Sequence, residues 1–197
     1  GGREFMANIS LWKHQKEALK LMQNRHYFAL LHKMGLGKSA TVASYLASRH
    51  SVLGGIPSTL IITPLSVMKG FKDEIRKFGG DALYHATEIL SGSSEARMKA
   101  LSIPGKRIFI INHEALIIPK VKQALLKKHF DVLIADEMHR FKSPDAKRTK
   151  VLFELAKLTP FRFALTGTPT PNNLVDIYCM LYFLSPNLVG QDNFWNW

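Results

Sequence analysis

A short glycine turn at residues 34–39, Met-Gly-Leu-Gly-Lys-Ser, constrains this chain more than any other segment. It follows an apolar run at residues 27–31, which predicts a buried strand, and it precedes residues 40–50, which predict a helix. Glycine lets the backbone pass where a Cβ would collide, and a helix N-terminus presents free N–H groups to an anion. The segment therefore predicts a nucleotide-phosphate site, with Lys38 on the β- and γ-phosphates and the Ser39 hydroxyl on Mg²⁺.

The turn departs from the full phosphate-loop pattern at one position. That pattern has a glycine five residues before Gly37, where this chain has His32. A Gly-x-Gly-Lys-Ser sequence can also be a turn and a helix start that bind nothing. The turn alone leaves both interpretations open.

Length and composition bound the possible folds. The chain has 197 residues, 46% of them hydrophobic, which suits one domain with a substantial core. The single cysteine, Cys179, excludes an internal disulfide and a cysteine-based metal site, as is typical of the cytoplasm or the nucleus. No run is long and apolar enough to span a membrane, so we expect no membrane partner. Residues 1–5 resemble a cloning remnant, and residues 6–197 are predicted to form a single domain.

The chain is strongly basic, with 27 Lys and Arg against 15 Asp and Glu and a net charge of +12. This balance favours an acidic polymer as the partner, and nucleic acid is the natural one. The alternative is a basic surface with no specific role.

Short apolar segments alternate with helical ones along the chain. Besides residues 27–31, the strand candidates are 59–63, 86–90, 107–111, 131–135 and 162–165. They do not alternate apolar with polar residues, which predicts an α/β fold with a mostly parallel central sheet covered by helices on both faces. Ligands of such sheets bind at the carboxyl ends of the strands, where the candidate motifs also lie.

Two adjacent carboxylates, Asp136 and Glu137, directly follow the strand candidate at 131–135. Asp136 is predicted to hold Mg²⁺, and Glu137 to orient the attacking water as a general base. An exposed acidic turn is the alternative if the pair is taken alone. Because it follows a phosphate turn in a strand–helix–strand pattern, we favour a metal–triphosphate site on which Lys38 also converges.

Six ordered segments resemble motifs of the first RecA-like domain of the Swi/Snf family of DNA translocases in helicase superfamily 2. They are residues 11–15, 34–39 (motif I), 59–66 (motif Ia), 111–116, 136–140 (motif II) and 165–169 (motif III), with 172–174 continuing the last. The resemblance implies a P-loop NTPase with a RecA-like three-layer sandwich that uses ATP and Mg²⁺.

The chain departs from the family pattern at a few positions. His32 and Lys33 stand where an acidic pair is usual, and Pro171 stands where glutamine is common. Met138 takes the place of alanine in motif II. Ser39 replaces threonine but keeps the hydroxyl that Mg²⁺ needs.

The resemblance implies a role for each matching residue. The nucleotide would contact Gln15, at the adenine, and Met34, Gly35, Leu36, Gly37, Lys38, Ser39 and Ala40. Catalysis would use Lys38, Asp136 and Glu137, with Ser39 and Asp136 on the metal. Coupling of the nucleotide to the nucleic acid would use His139, Thr166, Gly167 and Thr168. The alternatives are an exposed helix residue at position 15, a capped turn at the threonines and a satisfied polar group at position 139.

The resemblance also implies contacts with a nucleic-acid backbone. They would involve Pro64, Leu65, Ser66, Lys69, Asn112 and His113, which could equally be ordinary loop ends. Contacts of this kind grip phosphates without reading bases, so no sequence specificity is expected.

Motors of this family bind ATP between two RecA-like domains, and the second domain supplies arginine fingers. The chain has no second phosphate pattern, so we expect it to need that domain as a partner, to bind ATP–Mg²⁺ and to hydrolyse it slowly alone. The favoured function is the ATP-binding domain of a motor on double-stranded DNA. The alternatives are a strand-separating DNA or RNA helicase module and a catalytically inactive nucleic-acid-binding module. The small domain favours a bacterial or viral source and the cytoplasm, or the nucleus if the source is eukaryotic.

Overall fold

The computed structural model describes residues 11–31, 37–167 and 173–190. The strands in these ranges are β1 (Tyr27–Leu31), β2 (Thr59–Thr63), β3 (Thr87–Leu90), β4 (Ile108–Asn112), β5 (Val132–Ala135) and β6 (Phe161–Thr166). The α-helices are α1 (Lys13–Gln23), α2 (Lys38–Leu53), α3 (Met68–Gly79), α4 (Asp81–His85), α5 (Ser94–Leu101), α6 (Pro119–Lys128), α7 (Lys147–Lys157) and α8 (Leu174–Leu184).

The strands form one sheet in the order β1-β6-β5-β2-β4-β3, and every pairing in it is parallel. All carboxyl ends therefore lie at the same edge of the sheet. β6 lies between β1, which leads into the glycine turn, and β5, which leads into the acid pair. The predicted α/β class is confirmed, and the sheet is parallel in all its pairings rather than in most.

Helices cover both faces of the sheet. Successive residues of β2 point to opposite faces: Leu60 and Ile62 pack with α5–α8, whereas Ile61 packs with α1–α4. All three are completely buried. Because each strand contributes to two cores, the strands carry continuous apolar runs, and the predicted three-layer sandwich is confirmed.

The structure corrects several predicted helix boundaries. α2 begins at Lys38 rather than at residue 40, so the lysine and serine of the glycine turn belong to its first turn. α7 begins at Lys147 and follows a separate turn, in which the Ser143 hydroxyl accepts the Asp145 N–H (3.3 Å).

Two helices were not predicted. α4 has only five residues, too few for a helical period to be visible. α8 is apolar around most of its circumference, so it lacks the polar face that marks an amphipathic helix. In the described ranges no helix, α8 included, combines the length and apolarity needed to cross a membrane.

Candidate nucleotide site

Gly37 is the residue before α2, and its conformation requires glycine. Its φ is +73°, in the left-handed region. A Cβ at this position would also collide with the Gln15 side-chain nitrogen. The next residues, Lys38 and Ser39, are half-buried in the first turn of α2, and Ala40 is buried. The helix N-terminus and the lysine thus lie together, as a phosphate site requires.

Gln15 is buried and holds the turn before α2. Its Nε2 donates to the Gly37 carbonyl (3.1 Å), and its Oε1 accepts the Trp12 N–H (2.8 Å). The interpretation of Gln15 as an exposed helix residue is therefore excluded. Its role at adenine stays a prediction, and it stands beside the element that would bind the phosphates.

Asp136 lies at the carboxyl end of β5 and is 7% exposed. The Thr63 hydroxyl donates to its Oδ2 (2.6 Å), and the Glu137 N–H donates to its Oδ1 (2.9 Å). Burial raises the pKa of Asp136 and the Glu137 charge adds to this, whereas the Thr63 hydrogen bond and the Lys38 charge oppose it. The hydroxyl donor and the lysine therefore favour the ionised form that a metal ion needs.

Glu137 adopts a left-handed conformation, with φ 51° and ψ 52°, although it is not glycine. The chain is held on both sides of this turn. The Asp136 N–H donates to the Ile62 carbonyl (2.8 Å), and the Asp136 carbonyl accepts a hydrogen bond from His113 Nε2 (2.8 Å). Such a conformation costs free energy and persists because the surrounding contacts impose it.

His139 joins Glu137 to the end of β6. Its Nε2 lies 3.1 Å from Glu137 Oε2, and its Nδ1 lies 3.2 Å from the Thr166 hydroxyl oxygen. In the neutral imidazole the carboxylate assigns the proton to Nε2, and Nδ1 accepts from the hydroxyl. The contacts that the coupling hypothesis requires are present, while coupling itself stays a prediction.

The parallel sheet brings these groups to one edge. The glycine turn follows β1, Thr166 ends β6, and Asp136 and Glu137 follow β5, three strands that are neighbours in the sheet. Gly167 is half-buried directly after β6. The predicted site residues Met34, Gly35, Leu36 and Thr168 lie outside the described residues.

The donor groups at this edge fit Mg²⁺ together with a triphosphate. A serine hydroxyl and a carboxylate are the hard oxygen ligands that Mg²⁺ takes, and phosphate oxygens complete such sites. Over the three described ranges, no cluster of three or more His, Cys, Asp and Glu side chains could hold a metal ion by itself. In phosphoryl-transfer sites the phosphates of the nucleotide supply further metal ligands.

The candidate nucleic-acid residues divide into exposed and buried ones. Leu65 and Ser66 are exposed in a short 3₁₀ turn after β2, and Lys69 is exposed in the first turn of α3. Pro64, the residue directly after β2, is buried. The exposed residues are available to a phosphate backbone, and their role there stays a prediction.

Asn112 and His113 are not surface residues. Asn112 is 6% exposed, its Oδ1 accepts from Arg97 (3.0 Å), and its Nδ2 donates to Glu114 (3.0 Å). His113 is completely buried. Their side chains hold the protein's own groups, and the expected contact of the chain around them with a nucleic-acid backbone stays a prediction.

Sequence reasoning missed two buried residues at this edge. Thr63 is the Asp136 partner, and its signal is a hydroxyl at the carboxyl end of an otherwise apolar strand. Arg97 donates to the Leu90 carbonyl (2.6 Å) as well as to Asn112, and so joins the ends of β3 and β4. Nothing in the sequence pairs Arg97 with a strand 15 residues further on.

The fold and the site together define a RecA-like α/β domain with Gly37, Lys38 and the acid pair at one edge of the sheet. The chain belongs to the SNF2-related domain family, whose model matches residues 14–197. The family and the fold that the sequence motifs implied are confirmed.

Relatives named for chromatin remodelling, helicase activity and DNA repair are similar to this chain. The ISWI chromatin-remodeling complex ATPase CHR11 of Arabidopsis thaliana is 30% identical over 88% of this chain and 16% of its own length. The ATP-dependent helicase brm of Drosophila melanogaster is 31% identical over 93% and 11%. The DNA repair and recombination protein RAD54B of Gallus gallus is 29% identical over 95% and 21%. The chain thus spans about a fifth or less of these relatives.

A solved structure has the same fold. The Sulfolobus solfataricus SWI2/SNF2 ATPase core in complex with dsDNA superposes with a TM-score of 0.79 at 24% identity. The match covers 96% of this chain and 39% of that one.

Proposed function

We propose that this chain is the ATP-binding domain of a SNF2-family motor that hydrolyses ATP to move along or remodel double-stranded DNA complexes. The observation that carries the proposal is the convergence of Lys38, Asp136 and Glu137 at one edge of the sheet. A module that only bound nucleic acid would need neither the lysine nor the acid pair. Family membership supports the same function.

Each side chain at this edge of the sheet has a role in the proposed reaction. Lys38 neutralises charge on the β- and γ-phosphates, and the Ser39 hydroxyl and Asp136 carboxylate hold the metal. Bound Mg²⁺ offsets the charge that develops on the phosphates. Glu137 orients the attacking water and takes its proton. Gln15 and the residues of the glycine turn hold the rest of the nucleotide.

We assign coupling to the chain of contacts from Glu137 through His139 to Thr166. While His139 holds the Glu137 carboxylate, that oxygen is not free to accept a proton from water. If the contact between His139 and Glu137 broke during the reaction, the hydrogen bond from His139 to Thr166 at the end of β6 would change as well. Gly167 and Thr168 follow β6, so a change in nucleotide state would be transmitted to these residues.

Double-stranded DNA is the proposed nucleic-acid partner, and a second RecA-like domain is the proposed protein partner. The net charge of +12 and the exposed Leu65, Ser66 and Lys69 suit a phosphate backbone. The Sulfolobus core named above is in complex with dsDNA. The second domain would supply arginine fingers worth about 10³–10⁵ in rate, so the chain alone should turn over slowly. The compartment would be the cytoplasm of a bacterium or virus-infected cell, or a eukaryotic nucleus.

The first experiment measures ATP–Mg²⁺ binding and ATP turnover of this chain, of Glu137→Gln and of Lys38→Ala, with and without double-stranded DNA. We expect wild type and Glu137→Gln to bind ATP with negligible turnover. Lys38→Ala should no longer bind ATP but should still bind DNA. Turnover that DNA stimulates and that Glu137→Gln abolishes would mean that the chain completes a site without a second domain. Absence of ATP binding by wild type would overturn the proposal.

Competing nucleic acids separate the alternatives. The proposed motor should bind double-stranded DNA more tightly than single-stranded DNA or duplex RNA. A preference for single strands would favour a strand-separating helicase module. Nucleic-acid binding without ATP binding would favour the catalytically inactive module.

A further inference from the structure

His113 is a buried histidine that the nucleotide chemistry does not use. It begins the 3₁₀ turn His113–Ile117 after β4 and is completely buried, with its ring 5.2 Å from the Phe141 ring. Its Nε2 lies 2.8 Å from the carbonyl oxygen of Asp136. Because a carbonyl can only accept, Nε2 carries the proton and donates it to this bond.

The other ring nitrogen does not explain the burial of this histidine. His113 Nδ1 is buried and has no hydrogen-bond partner among the described residues. Leaving a buried polar atom unpaired costs free energy, so packing alone would favour an apolar ring here. The Nε2 bond is the feature that an apolar ring could not provide.

That bond acts on the peptide group between Asp136 and Glu137. The carbonyl of this peptide accepts from His113, and its N–H donates to Asp136 Oδ1 (2.9 Å). Both polar ends of one peptide plane are therefore held. Rotation of the plane, which the strained left-handed Glu137 would favour, would have to break both bonds.

His113 is itself held in place. The preceding residue, Asn112, is fixed by hydrogen bonds to Arg97 and Glu114. The imidazole thus connects the carboxyl end of β4 to the acid pair after β5, across the intervening β2.

We propose that His113 is a positioning residue for the acid pair: its Nε2–H holds the Asp136 carbonyl and thereby fixes the direction in which the Asp136 and Glu137 side chains leave the backbone. The inference rests on the proposed function, since it concerns the metal and water positions of that site. His113 would act through the Asp136 carbonyl.

The test compares nucleotide affinity in Mg²⁺ with affinity in EDTA, because the ratio isolates the part of binding that depends on Asp136. His113→Phe keeps the ring and removes the donor, whereas His113→Gln keeps an N–H at similar reach. We expect His113→Phe to lower the ratio by about 10-fold, the size of outer-shell effects on metal binding, and His113→Gln to keep most of the wild-type ratio. Affinity in EDTA should stay within about 2-fold, since Lys38 and the glycine turn are untouched.

Matched variants guard against a general loss of structure. His50→Phe makes the same change in α2, away from the acid pair, at another histidine whose buried Nδ1 has no partner within the described ranges. It should leave the ratio unchanged. If His113→Phe does not fold, His113→Asn replaces it, because its amide is too short to reach the carbonyl while its chemistry matches that of Gln.

The outcomes separate the inference from the function it rests on. A folded His113→Phe variant with the wild-type ratio would overturn the inference alone. So would a His113→Gln variant whose ratio is as low as that of His113→Phe. Failure of wild type to bind nucleotide would overturn the proposed function and the inference with it. A faster hydrogen exchange of the Glu137 amide in His113→Phe than in wild type, with β4 unchanged, would support the inference without nucleotide.

Discussion

Two histidines contact the acid pair, and they differ in burial and in what they hold. His113 is completely buried and donates to a backbone carbonyl, that of Asp136. The His139 side chain is 35% exposed, and its partners in the described part of the chain are two side chains, those of Glu137 and Thr166. A bond to the backbone lasts as long as the fold, whereas bonds between side chains can exchange when a rotamer changes. The comparison teaches that the same residue type can fix one carboxylate and leave its neighbour movable.

Burial explains the difference. It lowers the pKa of His113 to about 4, so the imidazole is neutral near pH 7, and the carbonyl acceptor selects one tautomer. Thr63, also completely buried, adds a second fixed bond, to the Asp136 carboxylate. Changes on the Asp136 side should therefore alter folding stability and metal binding together, and changes on the Glu137 side should alter chemistry with little effect on stability.

The largest effect is expected from Asp136→Asn. It should lower the Mg²⁺-dependent nucleotide affinity by about 100-fold or more, a larger decrease than the loss of an outer-shell partner usually causes. It should also raise the free energy of unfolding at pH 7 by about 1 kcal/mol, because the cost of a buried charge is removed. The amide oxygen can still accept the Glu137 N–H, and the amide nitrogen can donate to the Thr63 hydroxyl. Nucleotide titration and urea unfolding measure the two quantities.

The matched change Glu137→Gln sharpens the comparison, since it should shift stability by less than about 0.5 kcal/mol. The raised pKa of Asp136 means that its folded form favours the proton, so its destabilising contribution grows as pH rises. The stability gain of Asp136→Asn should accordingly shrink at acid pH. An equal gain at all pH values would contradict this account of the buried charge.

The second effect is a pH dependence that originates at His113. Its folded pKa of about 4 lies below the ordinary 6.5, so the unfolded chain takes up the proton first as pH falls. The stability that depends on neutral His113 should be present above about pH 6.5 and be lost towards pH 4, by up to about 3 kcal/mol. Urea unfolding of wild type and His113→Gln across this pH range measures the loss. If the free energies of unfolding of the two proteins changed with pH in the same way, His113 would bind protons equally in the folded and the unfolded chain.

The third effect concerns the buried hydroxyl at Asp136. Thr63→Val should cost about 1–3 kcal/mol of stability, because it leaves a buried carboxylate oxygen without its donor, and should also weaken Mg²⁺-dependent binding. Thr59→Val is the matched control, since it removes a buried hydroxyl bond from the other end of β2, to the Pro57 carbonyl (2.8 Å). The control should lose stability but bind nucleotide normally. Equal losses of binding in both variants would break the distinction between the two ends of the strand.

A small effect on stability is also expected from His139→Phe. Its bonds join partly exposed side chains, so unfolding should change by less than about 1 kcal/mol, and ATP–Mg²⁺ affinity should stay within about 3-fold. The loss should instead fall on turnover once a second RecA-like domain is supplied. Stability and turnover of His139→Phe and Thr166→Val measured together check this, and a stability loss as large as that of Thr63→Val would end the distinction between fixed and movable contacts.

Much of the fold could be predicted because its signals are local. β1 and β2 lie at the predicted residues, since continuous apolar runs bounded by turns mark buried strands. The glycine turn and the acid pair could be found because phosphate and metal chemistry needs those residue types next to a strand end. α8 could not be predicted as a helix, because a segment that is apolar on most sides carries no period.

The chain's own residues determine the parallel α/β class, the family motifs and the candidate catalytic groups, since each depends on neighbours within a few positions. Only the tertiary structure decided what holds those groups. Thr63 and Asp136 are 73 positions apart, and His113 and Asp136 are 23 apart, so no local pattern pairs them. The order of the strands creates both contacts, because it brings the ends of β2, β4 and β5 to one edge, where the buried His113 becomes a partner of the protein backbone.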